Sequence, residues 1–380
     1  MYRFLFVDSN VNYGGSLKGT INLLSSLSQK GYLCKACDFF GINDKYLKEL
    51  ESNDISYTVL LQDSRNYILG KGGVIKRFFK FISHLPDQVK VILGIRRLIK
   101  SENYDYVLVN NKKTLLPVAI ASIGTKAKII IYHRVWVQEH DIDLLYLLLM
   151  RFFCENIISH AQDSVKTLSK LFPQKKVSYI PNAVELEIEP VHKKNDIFTI
   201  ILPASRPTKL KGYDCAIKAI KDYSQRYGRD IKLILTGDVP IGHTSDFYEE
   251  LKNLIKIYEI EDLIEFTGWR NDILDMINSS DLMILPTHTE GFPRVIIESM
   301  LLKTPVISTP VGGIPDALVN GITGYLVDVD DYELLSECIF KVKNNREDAL
   351  DIIENAYQFS KNKFTLEKQV TSFINALEKA

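Results

Sequence analysis

Short apolar runs alternate along this chain with longer stretches whose apolar residues return every three or four positions. Residues 2–8 (YRFLFVD), 32–39 (YLCKACDF), 105–111 (DYVLVNN), 126–133 (KAKIIIYH) and 156–161 (NIISHA) have the length and branching of buried strands. Between them, 16–31 carries an amphipathic helical pattern closed by Gly31, and 42–54 a second one. Residues 174–196 hold two prolines and lose their period after Asn182, which predicts a domain boundary there. A second alternation follows, with strands at 198–205, 231–237, 263–268, 281–286, 304–309 and 324–328, and a final helix over 365–380. Apolar strands alternating with helices predict parallel sheets. A chain of 380 residues exceeds one ordinary core. The expected fold class is therefore α/β: two doubly wound domains of similar size, facing each other across a deep cleft. Ligands of such sheets bind at the carboxyl ends of the strands.

Composition is globular, and charge adds an asymmetry. Residues 1–184 hold 25 Lys and Arg against 15 Asp and Glu, and the remainder reverses that excess, so the whole chain is neutral. The basic excess concentrates in 65–113, with eleven cations against three acids. Such a patch favours an anionic partner, or else forms solvated helix faces. Five scattered cysteines exclude a disulfide framework, and the lone Cys34–Cys37 pair has no second pair to complete a zinc site. The run 144–150 is too short to span a bilayer, and 2–8 is too short for a signal peptide. These features predict a reducing, cytoplasmic setting.

The densest candidate chemistry is 286–300, PTHTEGFPRVIIESM. A strand ends at Pro286, and Pro293 is expected in the first turn of a helix whose apolar face runs through Ile296, Ile297 and Met300. Glu290 and Glu298 then stand about 10–12 Å apart along the axis. That is too far to share a proton and suits two anchors on one elongated ligand. The N–H groups of Gly291 and Phe292 between them could receive an anion. The plainer reading makes Glu290 a dipole-complementing acid and Glu298 a solvated helix residue.

Further candidates lie at other strand ends. Gly14 and Gly15 in NYGGS either turn the chain or let an anion approach a helix N-terminus. Arg206 and Lys211 in SRPTKLKG leave the first strand of the second domain, where two cations could hold a diphosphate. Arg270, in FTGWRND, belongs to a loop suited to lining a nucleobase slot. His133 ends a first-domain strand, placed for a sugar hydroxyl or a phosphate. The Asp-x-Asp in DVDD (328–331) reads as a turn, so no metal site is expected.

Taken together, NYGGS, YHR (132–134), YIPNAVE (179–185), SRPTKLKG, FTGWRND, EGFPRVIIE (290–298) and VGGIPDALVNGITGYLVD (311–328) resemble, in order over almost the whole chain, a retaining glycosyltransferase of the GT-B fold and of family 4, also called group 1. The resemblance implies two Rossmann-like domains: an acceptor-side domain 1–185, a donor-side domain 186–362, and a terminal helix 363–380 crossing back to the first. It implies that Glu298 bonds the donor ribose and that Glu290 bonds the transferred sugar near the reacting carbon. Arg206 and Lys211 would hold the diphosphate, faced by the backbone of Gly291, Phe292 and Pro293. The Arg270 loop would meet the base, Gly14 and Gly15 the diphosphate, and His133 the sugar.

No cofactor or metal is implied, only a nucleotide-diphosphate sugar of the UDP or GDP type as donor. The acceptor would be a glycan or lipid-linked glycan of a bacterial surface polymer such as capsule or lipopolysaccharide. Two departures stand out. Arg294 occupies a position that is often small or apolar in the family, where it would touch an anionic donor sugar or face solvent. Ser16 and Leu17 follow the glycines where an acid is common. The basic segment with Lys71, Lys76, Arg77, Lys80, Arg96, Arg97 and Lys100, interleaved with apolar residues, predicts a peripheral enzyme on the inner face of the cytoplasmic membrane. Nucleic acid is not expected, for want of a binding motif. The rival readings are a sugar-nucleotide epimerase on the same fold and a non-catalytic sugar-nucleotide-binding subunit.

Overall fold

A computed structural model describes residues 1–9, 14–61, 85–186, 188–191, 195–238 and 246–378. The chain divides into two compact units, residues 1–181 with 366–380, and residues 182–365. The first part of the basic segment, with Lys71, Lys76, Arg77 and Lys80, lies outside the described residues.

Unit 1 is built on a seven-stranded parallel sheet in the order β3-β2-β1-β4-β5-β6-β7. Its strands are β1 (Arg3–Asp8), β2 (Leu33–Asp38), β3 (Ser56–Val59), β4 (Tyr106–Val109), β5 (Lys128–His133), β6 (Cys154–Ser159) and β7 (Lys176–Tyr179). Alternation sends Phe4, Phe6, Tyr106, Leu108, Ile130 and Tyr132 to one face and Leu5, Val7, Val107, Val109, Ile129 and Ile131 to the other. Helices Leu85–Glu102, Lys112–Ser122 and Leu144–Phe153 cover the second face. Helix Gly15–Gln29 covers the first, joined there by the terminal helix Leu366–Glu378.

That terminal helix brings Val370, Phe373, Ala376 and Leu377 into the unit 1 core. The Phe373 ring packs against Phe4 at 5.6 Å and Tyr132 at 6.3 Å. Asn156 Nδ2 donates to the Ala376 carbonyl at 2.8 Å, and Gln369 Nε2 to Pro181 at 2.8 Å. Both bonds fasten the helix to unit 1 by side chains that would otherwise be buried without a partner.

Unit 2 carries a six-stranded parallel sheet, β10-β9-β8-β11-β12-β13. Its strands are β8 (Phe198–Leu202), β9 (Ile231–Thr236), β10 (Ile264–Gly268), β11 (Leu282–Leu285), β12 (Val306–Ser308) and β13 (Tyr325–Leu326). The chain steps outward from β8 to β10, returns to β11 beside β8, and steps outward the other way. Loops leaving β8 and β11 therefore diverge from adjacent strand ends, which is the switch point where doubly wound sheets take ligands. Two strands of unit 1 were not expected from sequence. KVSY (β7) lies inside the boundary segment and SYTV (β3) is too short to stand out; apart from the exposed Ser56, both are half-buried.

Candidate functional site

At the unit 2 switch point the β8 and β11 loops are locked together. The turn Lys209–Lys211 ends at Gly212, whose φ of +69° is left-handed. A β-carbon on Gly212 would lie 1.8 Å from the Pro286 carbonyl oxygen, so only glycine lets the loops meet. The Leu210 carbonyl accepts from Thr287 Oγ1 at 2.7 Å and from the His288 N–H at 2.9 Å. Across this seam Lys211 Nζ ion-pairs with Glu290 Oε1. Glu290 is the less exposed partner, at 15 % against 31 %. A cation from one loop and a carboxylate from the other thus share one point at the sheet's carboxyl edge, which suits a ligand with both anionic and hydroxyl groups. Arg206 is exposed on the same β8 loop.

The β12 loop closes a third side. Thr309 Oγ1 donates to the Thr287 carbonyl at 2.5 Å. A β-carbon on Gly313 would fall 2.2 Å from the Gly291 oxygen. Gly291 is thereby braced from below and Phe292 from the side, its ring edge-on to Phe364 at 5.3 Å.

Helix Arg294–Leu301 starts one residue later than expected, with Pro293 at its N-cap (φ −72°, ψ 117°) rather than in its first turn. Proline has no N–H to give, and here its fixed φ ends the loop instead of opening the helix. Glu298 lies in the second turn, as expected, and is buried, which removes the plainer reading of a solvated helix residue. Arg294 is buried as well: it neither faces solvent nor stands open at the surface. Its Nη2 meets Glu298 Oε1 at 3.3 Å and its Nη1 donates to the Ala183 carbonyl at 2.7 Å. The sequence could not show this, because Ala183 is 111 residues away. Asn182, also missed, donates through Nδ2 to the Phe292 carbonyl at 2.7 Å.

Arg270 stands beyond the edge strand β10, exposed, with its guanidinium on Asp272 at 2.8 and 2.5 Å. Asp331 caps helix Tyr332–Asn344 by accepting from the Leu334 N–H at 2.9 Å, so the DVDD segment ends in a turn and a cap. Among the described residues no group of three or more His, Cys, Asp or Glu could hold a metal ion.

Unit 1 has its own cluster at the carboxyl edge. His133 ends β5 and is buried, edge-on to Tyr146 at 5.9 Å, and its Nε2 finds no hydrogen-bond partner among the described residues. Burial pushes its pKa down to about 4, so the imidazole is neutral at physiological pH. The next residue, Arg134, donates to the Ser16 carbonyl at 3.0 Å, tying the β5 end to the start of helix Gly15–Gln29. Gly14 precedes that helix in an extended conformation (φ −173°), with open space where a side chain would be. At the β1–β4 switch point the buried Asp8 carboxylate accepts from the Ser9 N–H at 2.7 Å, Asn110 Nδ2 at 2.9 Å and Asn111 Nδ2 at 3.0 Å.

Residues 184–359 match the family model described as Glycosyl transferases group 1. The chain is 28% identical over 319 residues to the capsular polysaccharide biosynthesis glycosyltransferase CapM of Staphylococcus aureus, covering 77% of this chain and 80% of that one. It is 24% identical over 282 residues to the UDP-Gal:alpha-D-GlcNAc-diphosphoundecaprenol alpha-1,3-galactosyltransferase of Escherichia coli, covering 70% and 73%. Among solved structures, Anabaena Alr3699/HepE in complex with UDP and glucose superposes over the full length of both chains, with a TM-score of 0.82 at 20% identity. That likeness establishes the fold.

Proposed function

We propose that this chain, whose residues 184–359 match the group 1 glycosyltransferase model and which folds into two Rossmann-like units, is a glycosyltransferase of that group. It moves a sugar from a nucleotide-diphosphate donor of the UDP or GDP type to a glycan or lipid-linked glycan acceptor, with retention at the anomeric carbon and without a metal. The product is a bacterial surface polysaccharide. The observation that carries this is the Lys211–Glu290 pair at the unit 2 switch point, with Glu298 one helical turn and more beyond it. CapM and the E. coli galactosyltransferase support the substrate class by their names.

The roles follow from charge. As the bond from the anomeric carbon to the diphosphate breaks, negative charge grows on the departing phosphate. Arg206 and Lys211 stabilise it there more than in the ground state. The Gly291–Pro293 backbone faces the same groups. Glu290 holds the transferred sugar once Lys211 turns to phosphate. Glu298 accepts from the ribose hydroxyls, and the Arg270 loop meets the base. His133, neutral and with Nε2 without a partner among the described residues, is the unit 1 group suited to bond a sugar hydroxyl. The acceptor hydroxyl gives its proton to the departing phosphate oxygen.

Peripheral membrane binding rests on a separate observation. The three helices covering one face of unit 1 expose Val89, Leu93, Ile120, Leu145, Leu148 and Phe152 on their outer sides. Lys90, Arg97, Lys100, Lys113 and Arg151 are exposed among them. Apolar residues ringed by cations fit an anionic lipid surface, where a lipid-linked acceptor resides. Arg96 is not part of this face, since its Nη1 holds the Ala121 and Ile123 carbonyls at 3.0 and 2.6 Å. No described helix is long and apolar enough to cross a membrane.

The deciding test is a thermal-shift panel of UDP, GDP, ADP and their sugar conjugates, with and without EDTA. One nucleotide at 100 times its dissociation constant stabilises by about 2.7 kcal/mol. Its effect should survive EDTA and fall to about half or less in Glu298→Ala. No response to any nucleotide defeats the reading, and conversion of the sugar nucleotide without an acceptor moves it to an epimerase. Flotation with phosphatidylglycerol vesicles, lost in Leu148→Glu/Phe152→Glu, tests the membrane face; unchanged flotation refutes it.

A further inference from the structure

We propose that Arg294 is a positioning residue of the donor site: it fixes the Glu298 carboxylate and fastens it to the chain at Ala183. This rests on the reading of Glu298 as the ribose ligand.

Arg294 is an unusual residue to find where it is. It opens its helix, where a cation opposes the macrodipole. It is also buried, and so is its partner, with side chains 6 % and 8 % exposed. Two charges so far from water are tolerated only when they are paired and further hydrogen-bonded. Arg294 meets both needs with separate arms. Nη2 takes Glu298 Oε1, one helical turn along the same face, and Nη1 takes the Ala183 carbonyl. Neither helix electrostatics nor packing asks for a guanidinium here; a buried carboxylate that must be held in one orientation does.

The anchor is itself held. Asn182, beside Ala183, bonds the Phe292 carbonyl, and the Val184 N–H donates to the Phe364 carbonyl at 3.0 Å. Residues 182–184 therefore form a short rail against which both the Gly291–Pro293 backbone and Glu298 are set. Asn182 Oδ1 is buried with no hydrogen-bond partner among the described residues, so the rail's amide is not spent on packing alone. Without Arg294, the Glu298 carboxylate loses the bond that aims it. The loss then appears in recognition of the ribose hydroxyls rather than in the fold alone.

The experiment is a double-variant cycle read by calorimetric titration. The ribonucleoside diphosphate that binds the wild type (UDP, GDP or ADP) is compared with its 2′-deoxy and 3′-deoxy counterparts, in wild type, Arg294→Met, Arg294→Lys and Glu298→Gln. In the wild type, loss of a hydroxyl bonded to a carboxylate weakens binding about tenfold or more. In Arg294→Met and Glu298→Gln the ribonucleotide binds about tenfold more weakly, and the deoxy penalty shrinks to less than about twofold. Arg294→Lys keeps the charge but cannot span both partners, so its penalty falls between. A full deoxy penalty in Arg294→Met, or in Arg294→Lys should the methionine variant not fold, overturns the proposal and makes the pair purely structural. Binding to wild type with no deoxy penalty overturns it too, by removing the ribose role of Glu298. No nucleotide binding at all defeats the donor-site reading itself.

Discussion

Gly313 sits so close beneath Gly291 that a β-carbon on it would fall 2.2 Å from the Gly291 carbonyl oxygen and 2.9 Å from the Phe292 ring. The β12 loop therefore sets the height of the β11 loop at the proposed diphosphate position. Gly313 needs no special dihedrals, as its φ is −90°. It is required for space alone. Gly313→Ala must push the Gly291 peptide away, at a cost of about 1–3 kcal/mol of stability. It should weaken diphosphate binding as well. Gly324→Ala, crowded by Leu318 at 2.5 Å instead, should destabilise while leaving nucleotide affinity alone. Paired melting and titration measurements check both; equal affinity in the two variants refutes the brace.

Lys211→Met removes a cation from the proposed position of the departing phosphate and leaves Glu290 without its partner. Loss of one such group typically costs about 10²–10³ in rate. The expected outcome is a fall of that size in kcat/KM, with weaker binding of the nucleoside diphosphate and unchanged binding of the bare nucleoside. Steady-state kinetics and titration decide it. A variant that loses nucleoside binding equally would show damage to the site at large.

His133 links stability to pH. Its folded pKa is depressed to about 4 from an ordinary 6.5, so between these values the unfolded chain binds the extra proton. Stability is whole above pH 6.5 and declines as pH falls toward 4, by about 3 kcal/mol at most. His133→Gln should flatten that part of the stability curve. The same depression predicts that no limb of the activity profile between pH 5 and 8 belongs to this imidazole. Urea titrations across pH 4–7 on both proteins measure the slope.

The terminal helix is part of the unit 1 core, and Phe373 is its fully buried plug. Phe373→Ala should cost about 3–5 kcal/mol. Unit 1 should lose that stability while unit 2, whose core is separate, unfolds as before. Hydrogen exchange resolved by segment would show it; uniform loss across both units refutes the separation.

What the sequence disclosed follows from how local each signal is. Runs such as IIIY in β5 or LMIL in β11 are buried on both faces, so they stand out as continuous apolar stretches. KVSY and SYTV alternate at the sheet edges, half-exposed, and carry no such run. The loop placement of Glu290, Lys211 and Arg206 was legible because each follows a strand end, where a loop is obvious from its neighbours. The burial of Glu298 and Arg294 was not. A pair at i and i+4 looks like a solvated surface bridge until a carbonyl from residue 183 is placed against it. Burial is a tertiary fact, and the same four-residue spacing serves both cases. The late helix start at Pro293 was hidden for a related reason, since proline is compatible with either side of the boundary.

The threading of the terminal helix into unit 1 has a consequence for biosynthesis. Residues 182–365 are contiguous, so unit 2 holds all its core residues as soon as that stretch has left the ribosome. Unit 1 does not. Phe4 and Tyr132 keep an uncovered aromatic surface until Phe373 emerges. Domains ordinarily close in the order they are made. Here the nascent chain carries its earliest-made half open through the whole of the second, and a chaperone that shields aromatic surface has that interval in which to act.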